Sequence, residues 1–579
     1  MSHILEVKNL TTEFRTREGI IPAVRNISLQ LTAGKTLGIV GESGSGKSVT
    51  SLSVMRLLPG YARVPEGEIW FRKAEGELIN LLSLPQTEMQ KIRGNQISMI
   101  FQEPMTSLNP VFSCGDQVSE ALRIHKGLSR EEAKQETLRL FDQVELPRKE
   151  QIFRAYPHQI SGGQKQRVMI AMAICCNPSL LIADEPTTAL DVTVQKSILR
   201  LLEQLQAQYG MAMVFITHDL GVVGEIADEV MVMYRGEGVE TGPVEKIFTS
   251  PAHRYTQGLL ACRPNANFHL RRLRTVEDFL SDTPVSVVVK ADQKVVQPAV
   301  PAPLLEVYGL KKYFSDSGGL FSGEKEVIKA VDEVSFKVYP GETVGLVGES
   351  GCGKTTLGRT ILRLTEPTGG QIRFRGKEIT TLPTSEMRAL RRSMQIIFQD
   401  PYSSLNPRMT IGEAIAEPMR VHGIGRNEKE RKEKTLALLD KVQLTSDSFS
   451  RYPHQFSGGQ RQRVCIARTL AVSPDFVICD ESVSALDVSV QAQILNLLKD
   501  LQETQNLTFI FISHDLSVIR FMSDRILVMK SGKIVEEGAA EDLYLSPKTE
   551  YTQNLLEAIP QGSESSIRAA RERRAKIKT

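Results

Sequence analysis

The pattern G-x-x-x-x-G-K-[ST] occurs twice in this chain, as Gly41-Glu42-Ser43-Gly44-Ser45-Gly46-Lys47-Ser48 and as Gly348-Glu349-Ser350-Gly351-Cys352-Gly353-Lys354-Thr355. Glycines at these spacings let a backbone loop close around a phosphate, so each match requires a buried strand before it and a helix after it. Residue frequencies alone give about 0.02 such matches per chain, so two are not coincidence.

Four further landmarks follow each loop in the same order. Lys354 lies 307 residues after Lys47 and Gln399 lies 297 after Gln102, while Ser457, Glu481 and His514 each lie 296 after Ser161, Glu185 and His218. A register this constant reads as duplication of a whole domain of roughly 250 residues. The difference of ten between loop and glutamine predicts one insertion in the first half, around Phe71 to Pro85, where a surface loop tolerates added length.

With 579 residues, 41% apolar and 24% charged, the chain can bury two full cores. A net charge of +3 creates no global field to recruit nucleic acid or an anionic membrane. No apolar run approaches spanning length, and Met1 to Leu10 lacks the regions of a signal peptide, so the chain is expected not to cross a membrane by itself. Cys114, Cys175, Cys176, Cys262, Cys352, Cys465 and Cys479 form no CxxC pair, and reduced thiols in a cytosolic setting are expected. Cys352 reads as a small residue tolerated where Ser45 stands in the other half, rather than as an oxidation site.

Short apolar runs end at the phosphate loops (Thr36 to Val40, Thr343 to Val347), at Asp184 and Asp480, and at His218 and His514. Such strands alternating with helices predict an α/β fold with a largely parallel sheet in each half, with ligands at the carboxyl ends of the strands. Between the glutamine and Ser-Gly-Gly-Gln the period turns helical. Ser129-x-x-Glu132 opens one helix as a capping box, with Ala133, Thr137, Phe141 and Val144 behind it, and Asn427-x-x-Glu430 with Leu436, Leu439 and Val442 repeats the design. Each half thus carries an inserted α-helical subdomain.

The boundaries read as domain 1 over 4–263, an interdomain linker over 264–303 with prolines at 284, 298, 301 and 303, domain 2 over 304–560, and a basic tail over 561–579. The linker is expected to tie the halves without fixing their orientation. Ser563 to Thr579, with six basic and two acidic residues, reads as a solvated frayed helix, with contact to anionic lipid or RNA as the alternative.

Loop N–H groups and the following helix N-terminus favour the β-phosphate. Lys47 and Lys354 then suit the β- and γ-phosphates, and the hydroxyls of Ser48 and Thr355 suit Mg²⁺. Asp184-Glu185 and Asp480-Glu481 bring paired carboxylates to the same sheet edge, the first for Mg²⁺ and the second to orient or deprotonate water.

With Ile160-Ser161-Gly162-Gly163-Gln164 and Phe456-Ser457-Gly458-Gly459-Gln460 added, nearly the whole chain resembles two fused ATP-binding cassette (ABC) ATPase domains. The resemblance implies that Gln102 and Gln399 sense Mg²⁺ and the membrane partner, and that His218 and His514 are switch histidines on the γ-phosphate. Phe14 and Phe314 resemble the adenine-stacking aromatic, with Tyr313 a rival in the second half. It further implies head-to-tail pairing within the chain. One composite site joins Lys47, Ser48, Gln102, Asp184, Glu185 and His218 with Ser457 to Gln460, and the other joins Lys354, Thr355, Gln399, Asp480, Glu481 and His514 with Ser161 to Gln164. Both are expected to hydrolyse ATP. The change from Pro186-Thr187 to Ser482-Val483 leaves room for unequal turnover.

Gln102 to Pro110 and Gln399 to Pro407, Tyr156-Pro157-His158-Gln159 and Tyr452-Pro453-His454-Gln455, and the ends Tyr255-Thr256-Gln257 and Tyr551-Thr552-Gln553 are similar to ATPase subunits of dipeptide, oligopeptide, glutathione and nickel importers. The implied partners are two transmembrane permeases and an extracytoplasmic substrate-binding protein. No nucleic acid is implied, and the implied location is the cytoplasmic face of a bacterial inner membrane. Only Cys262 lies where some relatives carry an iron–sulfur segment, so no cluster is expected. Tandem relatives acting on ribosomes or damaged DNA would carry a long charged helical linker or zinc-binding CxxC inserts, and neither is visible. An exporter or regulatory ATPase is the remaining class.

Overall fold

The computed structural model describes the chain apart from residues 1–2, 17–18, 74, 103–106, 189, 265–269, 282–301, 316–326, 485, 561 and 579. Part of the post-glutamine motif (103–106) and most of the expected linker (282–301) therefore lie outside the described residues.

Each half has the same two sheets. A six-stranded sheet runs in the order Glu237–Pro243, Glu229–Tyr234, Thr36–Val40, Ala212–Thr217, Leu180–Asp184, Ile97–Ile100, parallel except for the hairpin formed by its first two strands. The second half repeats it with Lys533–Ala539, Arg525–Lys530, Thr343–Val347, Thr508–Ile512, Phe476–Asp480 and Met394–Ile397. Thr36–Val40 and Leu180–Asp184 are buried along their whole length, as expected of apolar strands covered on both faces. The second sheet, four antiparallel strands led by His3–Thr16 and Gly19–Thr32, and by Leu305–Ser315 and Val327–Val338, was not foreseen from sequence.

The two expected helices form as Arg130–Gln143 and Glu428–Lys441, and each is preceded by a further helix that was not placed from sequence, Cys114–Lys126 and Ile411–Val421. Ser129 and Glu132 make the full reciprocal capping box. Asn427 accepts from Glu430 N, but the Glu430 carboxylate turns to Arg426 N instead, so the second box is half formed.

The ten extra residues are not one loop. Phe71 and Phe374, which pair with Leu5 and Leu305, are 303 apart, and the buried Met89 and Met387 are 298 apart. The excess is thus spread over strand Ala62–Arg72, longer than its counterpart Gly369–Phe374, the connection after it, and a single residue before Gln102.

Two further expectations are corrected. In the linker, residues 271–273 lie against the second half, where Leu273 and Asn496 exchange hydrogen bonds of 2.8 and 2.9 Å and Arg271 pairs with Glu503. The helix Val276–Leu280 that follows packs on helix Arg254–Ala261 of the first half, with Val276 against Gly258. The tail is no solvated helix. Glu564–Lys578 docks on the first half, with Ile567 and Ala570 buried, Arg573 bidentate on Glu203, and the buried Arg574 donating to the carbonyls of Ile226 and Ala227. One hydrophobic cluster accordingly runs through both halves, from Leu259 and Val276 to Leu498, Ile559 and Ile567. Among the described residues no helix is long and apolar enough to cross a membrane.

Candidate active site

Gly41 and Gly46 shape the first loop. Their φ values of 154° and 100° disfavour a side chain, and a Cβ would lie 2.2 Å from Met233 O and 2.5 Å from Ala23 O. Gly348 and Gly353 repeat this against Met529 O and Ala330 O. Gly44 and Gly351 have open space beside them, and Ser43 and Ser350 precede them at the loop tips. Lys47 Nζ donates to the carbonyls of Gly41 and Glu42 at 2.7 and 2.9 Å, and Lys354 does the same to Gly348 and Glu349 at 2.8 and 2.9 Å. Each ammonium is thus folded into the cradle of its own loop. Ser45 Oγ is buried without a hydrogen-bond partner among the described residues, a polar atom left over for a ligand. Cys352 Sγ stands in its place, 3.9 Å from Lys354 Nζ, and all seven cysteines are free and buried.

The strand ends bring the carboxylates to these loops. Ser48 Oγ donates to Asp184 at 3.0 Å and Thr355 Oγ1 to Asp480 at 2.8 Å. Burial pushes the Asp184 carboxyl up to about 6 against the opposing bond from Ser48, and burial raises Asp480 too. An oxygen pair of this kind, its negative charge poorly compensated by the protein, fits a hard divalent cation whose remaining ligands are phosphate and water.

Glu185 and Glu481 leave their strands in the left-handed region, both at φ 48°, anchored by N–H bonds to Ile216 O and Ile512 O. Such strain aims a side chain and concentrates at functional positions. Glu185 meets His218 Nδ1 at 3.3 Å and Gln102 Nε2 at 3.2 Å, while Glu481 meets His514 Nδ1 at 3.5 Å and Gln399 Nε2 at 2.8 Å. Burial alone would raise the Glu185 carboxyl, but the bond and charge of His218, with Thr188 and Lys47, bring it down to about 2. Glu481 is lowered in the same way through His514. Burial opposes the charge on both histidines, and the facing glutamates nevertheless hold their pKa values up. The result in each half is an ionised base held by a cation-favouring imidazole.

Ser161 caps the helix Gly162–Ile174 and Ser457 the helix Gly458–Leu470, each in a reciprocal box with Gln164 or Gln460. Gly163 and Gly459 face Val194 and Val490, at 3.0 and 2.3 Å from where a Cβ would sit. These valines lie in the first turn of the helices Val192–Tyr209 and Val488–Gln505, whose first residues reach the opposite loop. Asp487 accepts from Ser43 N at 2.9 Å and from Ser43 Oγ at 3.1 Å, and Ser489 bonds Glu42. Thr193 Oγ1 donates to Glu349 at 3.1 Å. Each Ser-Gly-Gly-Gln signature, Ser161 to Gln164 and Ser457 to Gln460, thus stands behind the segment that touches the other half's phosphate loop. A cavity of about 320 Å³ lies at the first such junction, between Glu42–Ser45 and Ser489, Val490 and Gln493.

Phe14 is half-buried, its ring 5.9 Å from Tyr61, whereas Phe314 is exposed with Lys312 above its ring. The Tyr313 hydroxyl is engaged by Asp332. Thr188, Thr193, Asp487 and Ser489 were not picked out from the sequence. Their signal was available, because Asp191 and Asp487 follow Asp184 and Asp480 at the same interval of seven.

Two phosphate loops, each with its own carboxylate pair, glutamine and histidine, define a doubled P-loop nucleoside triphosphatase. The chain belongs to the ABC transporter family: its profile matches residues 24–188 and again 331–484, and the two cassettes are ATPases. A second profile, the oligopeptide/dipeptide transporter C-terminal region, matches 239–283 and 535–578. The glutathione import ATP-binding protein GsiA of Salmonella typhimurium is 48% identical over 574 residues, 98% of this chain and 91% of that one. GsiA of Pectobacterium atrosepticum is 48% identical over 558 residues, 96% of this chain and 89% of its own. A dimeric ATP-binding cassette, MJ0796 bound to ADP and Pi, is 30% identical and covers 41% of this chain and 98% of its own, with a TM-score of 0.37.

Proposed function

We propose that this chain is the motor subunit of a bacterial importer, hydrolysing ATP at two composite sites to drive uptake of a peptide-like substrate. The observation that carries the reading is the reciprocal reach of each half onto the other's phosphate loop, Asp487 and Ser489 onto Ser43 and Glu42 and Thr193 onto Glu349. Contacts made by both halves around one nucleotide favour the closed arrangement, and only such a preference lets ATP drive closure.

In each site the lysine leaves its loop carbonyls for the β- and γ-phosphates. Ser48, Asp184 and Gln102, and Thr355, Asp480 and Gln399, would hold Mg²⁺, which when bound neutralises charge on the phosphate oxygens. Glu185 and Glu481, kept ionised, orient the attacking water and accept its proton, while His218 and His514 steady the glutamate and donate toward the γ-phosphate. Ser161 to Gln164 and Ser457 to Gln460 close over the nucleotide from the other half. Phe14 and Phe314 stack on adenine.

The partners are two permeases and an extracytoplasmic binding protein, and the ATPase sits peripherally on the cytoplasmic face of the inner membrane, touching it through the permeases. Phe112 lines a groove of about 800 Å³, and Val111 and Ile124, next in sequence to its lining residues Phe112 and Arg123, are exposed as well, which suits an apolar docking element. The equivalent positions, by the offset of 297, are Arg408, Met409 and Val421, so the two docking faces differ, as two different permeases require. Glutathione or a dipeptide or oligopeptide is the favoured cargo, given the relatives, with nickel the weaker alternative. Affinity purification from membranes tests this. Recovery with two polytopic membrane proteins is expected, and recovery with ribosomes instead would overturn it.

A further inference from the structure

Glu42 and Glu349, the second residues of the two phosphate loops, are held from two directions. Their side chains accept bonds from the opposite half, Glu42 from Ser489 and Glu349 from Thr193. Their main chains are held by their own C-terminal regions: Glu42 N–H donates to the Tyr255 hydroxyl at 3.2 Å, and Glu349 N–H to the Tyr551 hydroxyl at 3.1 Å. These tyrosines open the Tyr-Thr-Gln triplets that recur 296 residues apart, and they sit on helices Arg254–Ala261 and Glu550–Glu557.

Neither ring is placed loosely. Tyr255 is fully buried, its centroid 4.2 Å from that of Tyr234, where strand Glu229–Tyr234 ends. Tyr551 carries Lys530 above its ring and lies within 3.5 Å of Met529 O. The same strand ends, through Met233 O and Met529 O, leave no room for a Cβ on Gly41 and Gly348. The first two residues of each loop therefore rest on one platform of strand end and tyrosine. An N–H donated to that platform is turned away from the phosphate side, which sets the face that the remaining loop N–H groups present.

We propose that Tyr255 and Tyr551 are positioning residues of the two phosphate loops, fixing Glu42 and Glu349 so that the grip of the opposite half is transmitted to the phosphate-binding backbone. The inference rests on the reading of these loops as the two nucleotide sites. It gives the C-terminal regions a part in nucleotide binding.

The test uses the full chain carrying Lys354→Ala, so that only the first loop binds ATP. Adding Tyr255→Phe, which deletes one oxygen and keeps the ring, is expected to raise the Kd for ATP about five- to tenfold, the scale of one hydrogen bond. Tyr551→Phe in the same background leaves that Kd unchanged, and Ser489→Ala, which weakens binding alone, adds nothing once Tyr255→Phe is present. A purely structural tyrosine would shift the melting temperature without this site selectivity. An unaltered Kd for Tyr255→Phe, or equal effects of the two tyrosine variants, overturns the proposal. If Tyr255→Phe does not fold, the half-buried Tyr551 is tested by Tyr551→Phe with Lys47→Ala, where the same rise or its absence decides. Two ATP bound by the Lys354→Ala chain would remove the loop reading itself.

Discussion

The two phosphate loops meet the opposite half differently. Asp191 and Asp487 occupy the same position before equivalent helices, yet Asp191 accepts from Val194 N of its own helix, whereas Asp487 makes no such cap and instead accepts from Ser43 across the interface. A second difference lies at the catalytic glutamates. Thr188 Oγ1 donates to the Glu185 carboxylate at 2.9 Å, while Ser484 Oγ turns to the backbone carbonyl of Glu481. A duplicated set of residues can thus keep every catalytic group and still be set in two ways, because short hydroxyl and carboxylate side chains can bond either to nearby backbone or to another group within reach.

The comparison breaks most visibly at the glutamates. Glu185→Gln with Glu481→Gln should cut turnover by about 10²–10⁴-fold while ATP still binds, since a proton-handling group is lost and its shape kept. Undiminished turnover would remove both residues from the chemistry, and the two single variants measure how unequal the sites are. A smaller effect is expected at the interface. Asp487→Ala should weaken ATP-dependent closure at the first loop by about 1–3 kcal/mol, the worth of hydrogen bonds to a charged group, read as nucleotide affinity at that loop. Asp191→Ala should instead cost about 1 kcal/mol of helix stability, read in a melt, with little change at the second loop. Equal affinity losses from the two variants would erase the difference. Smallest is Thr188→Val, expected to slow the first site about fivefold through one lost bond, while Ser484→Ala leaves the second site nearly unchanged. Single-turnover hydrolysis with one lysine removed reads each site alone.

What was legible in the sequence followed from local causes. The glycines that allow a loop, the apolar runs that end at Asp184 and Asp480, and the Ser129 capping box are decided within a few residues, and they stand where expected. Long-range causes were hidden. The tail has six basic residues and reads as solvated, but Arg574 is buried against carbonyls some 348 residues earlier and Arg573 is paired with the buried Glu203. Residues 271–280 read as tether, yet Asn496 and Glu503 of the second half supply the missing partners. The inserted length was visible as a difference of offsets, but only strand pairing at Phe71 and Phe374 divides it. Asn427 carries the same spacing as Ser129, and the neighbouring Arg426 N captured the carboxylate that should have closed its box.

The central claim is that each nucleotide is held by the phosphate loop of one half and the signature of the other, within a single chain. Counting nucleotides occluded per chain in the Glu185→Gln, Glu481→Gln background tests it directly. Two are predicted for that chain, one when Lys47→Ala is added, still one when Ser457→Arg joins Lys47→Ala, and none when Ser161→Arg joins it instead. The reverse pattern, with Ser161→Arg harmless beside Lys47→Ala and Ser457→Arg abolishing the remaining site, would show that each loop pairs with its own signature and would contradict the account.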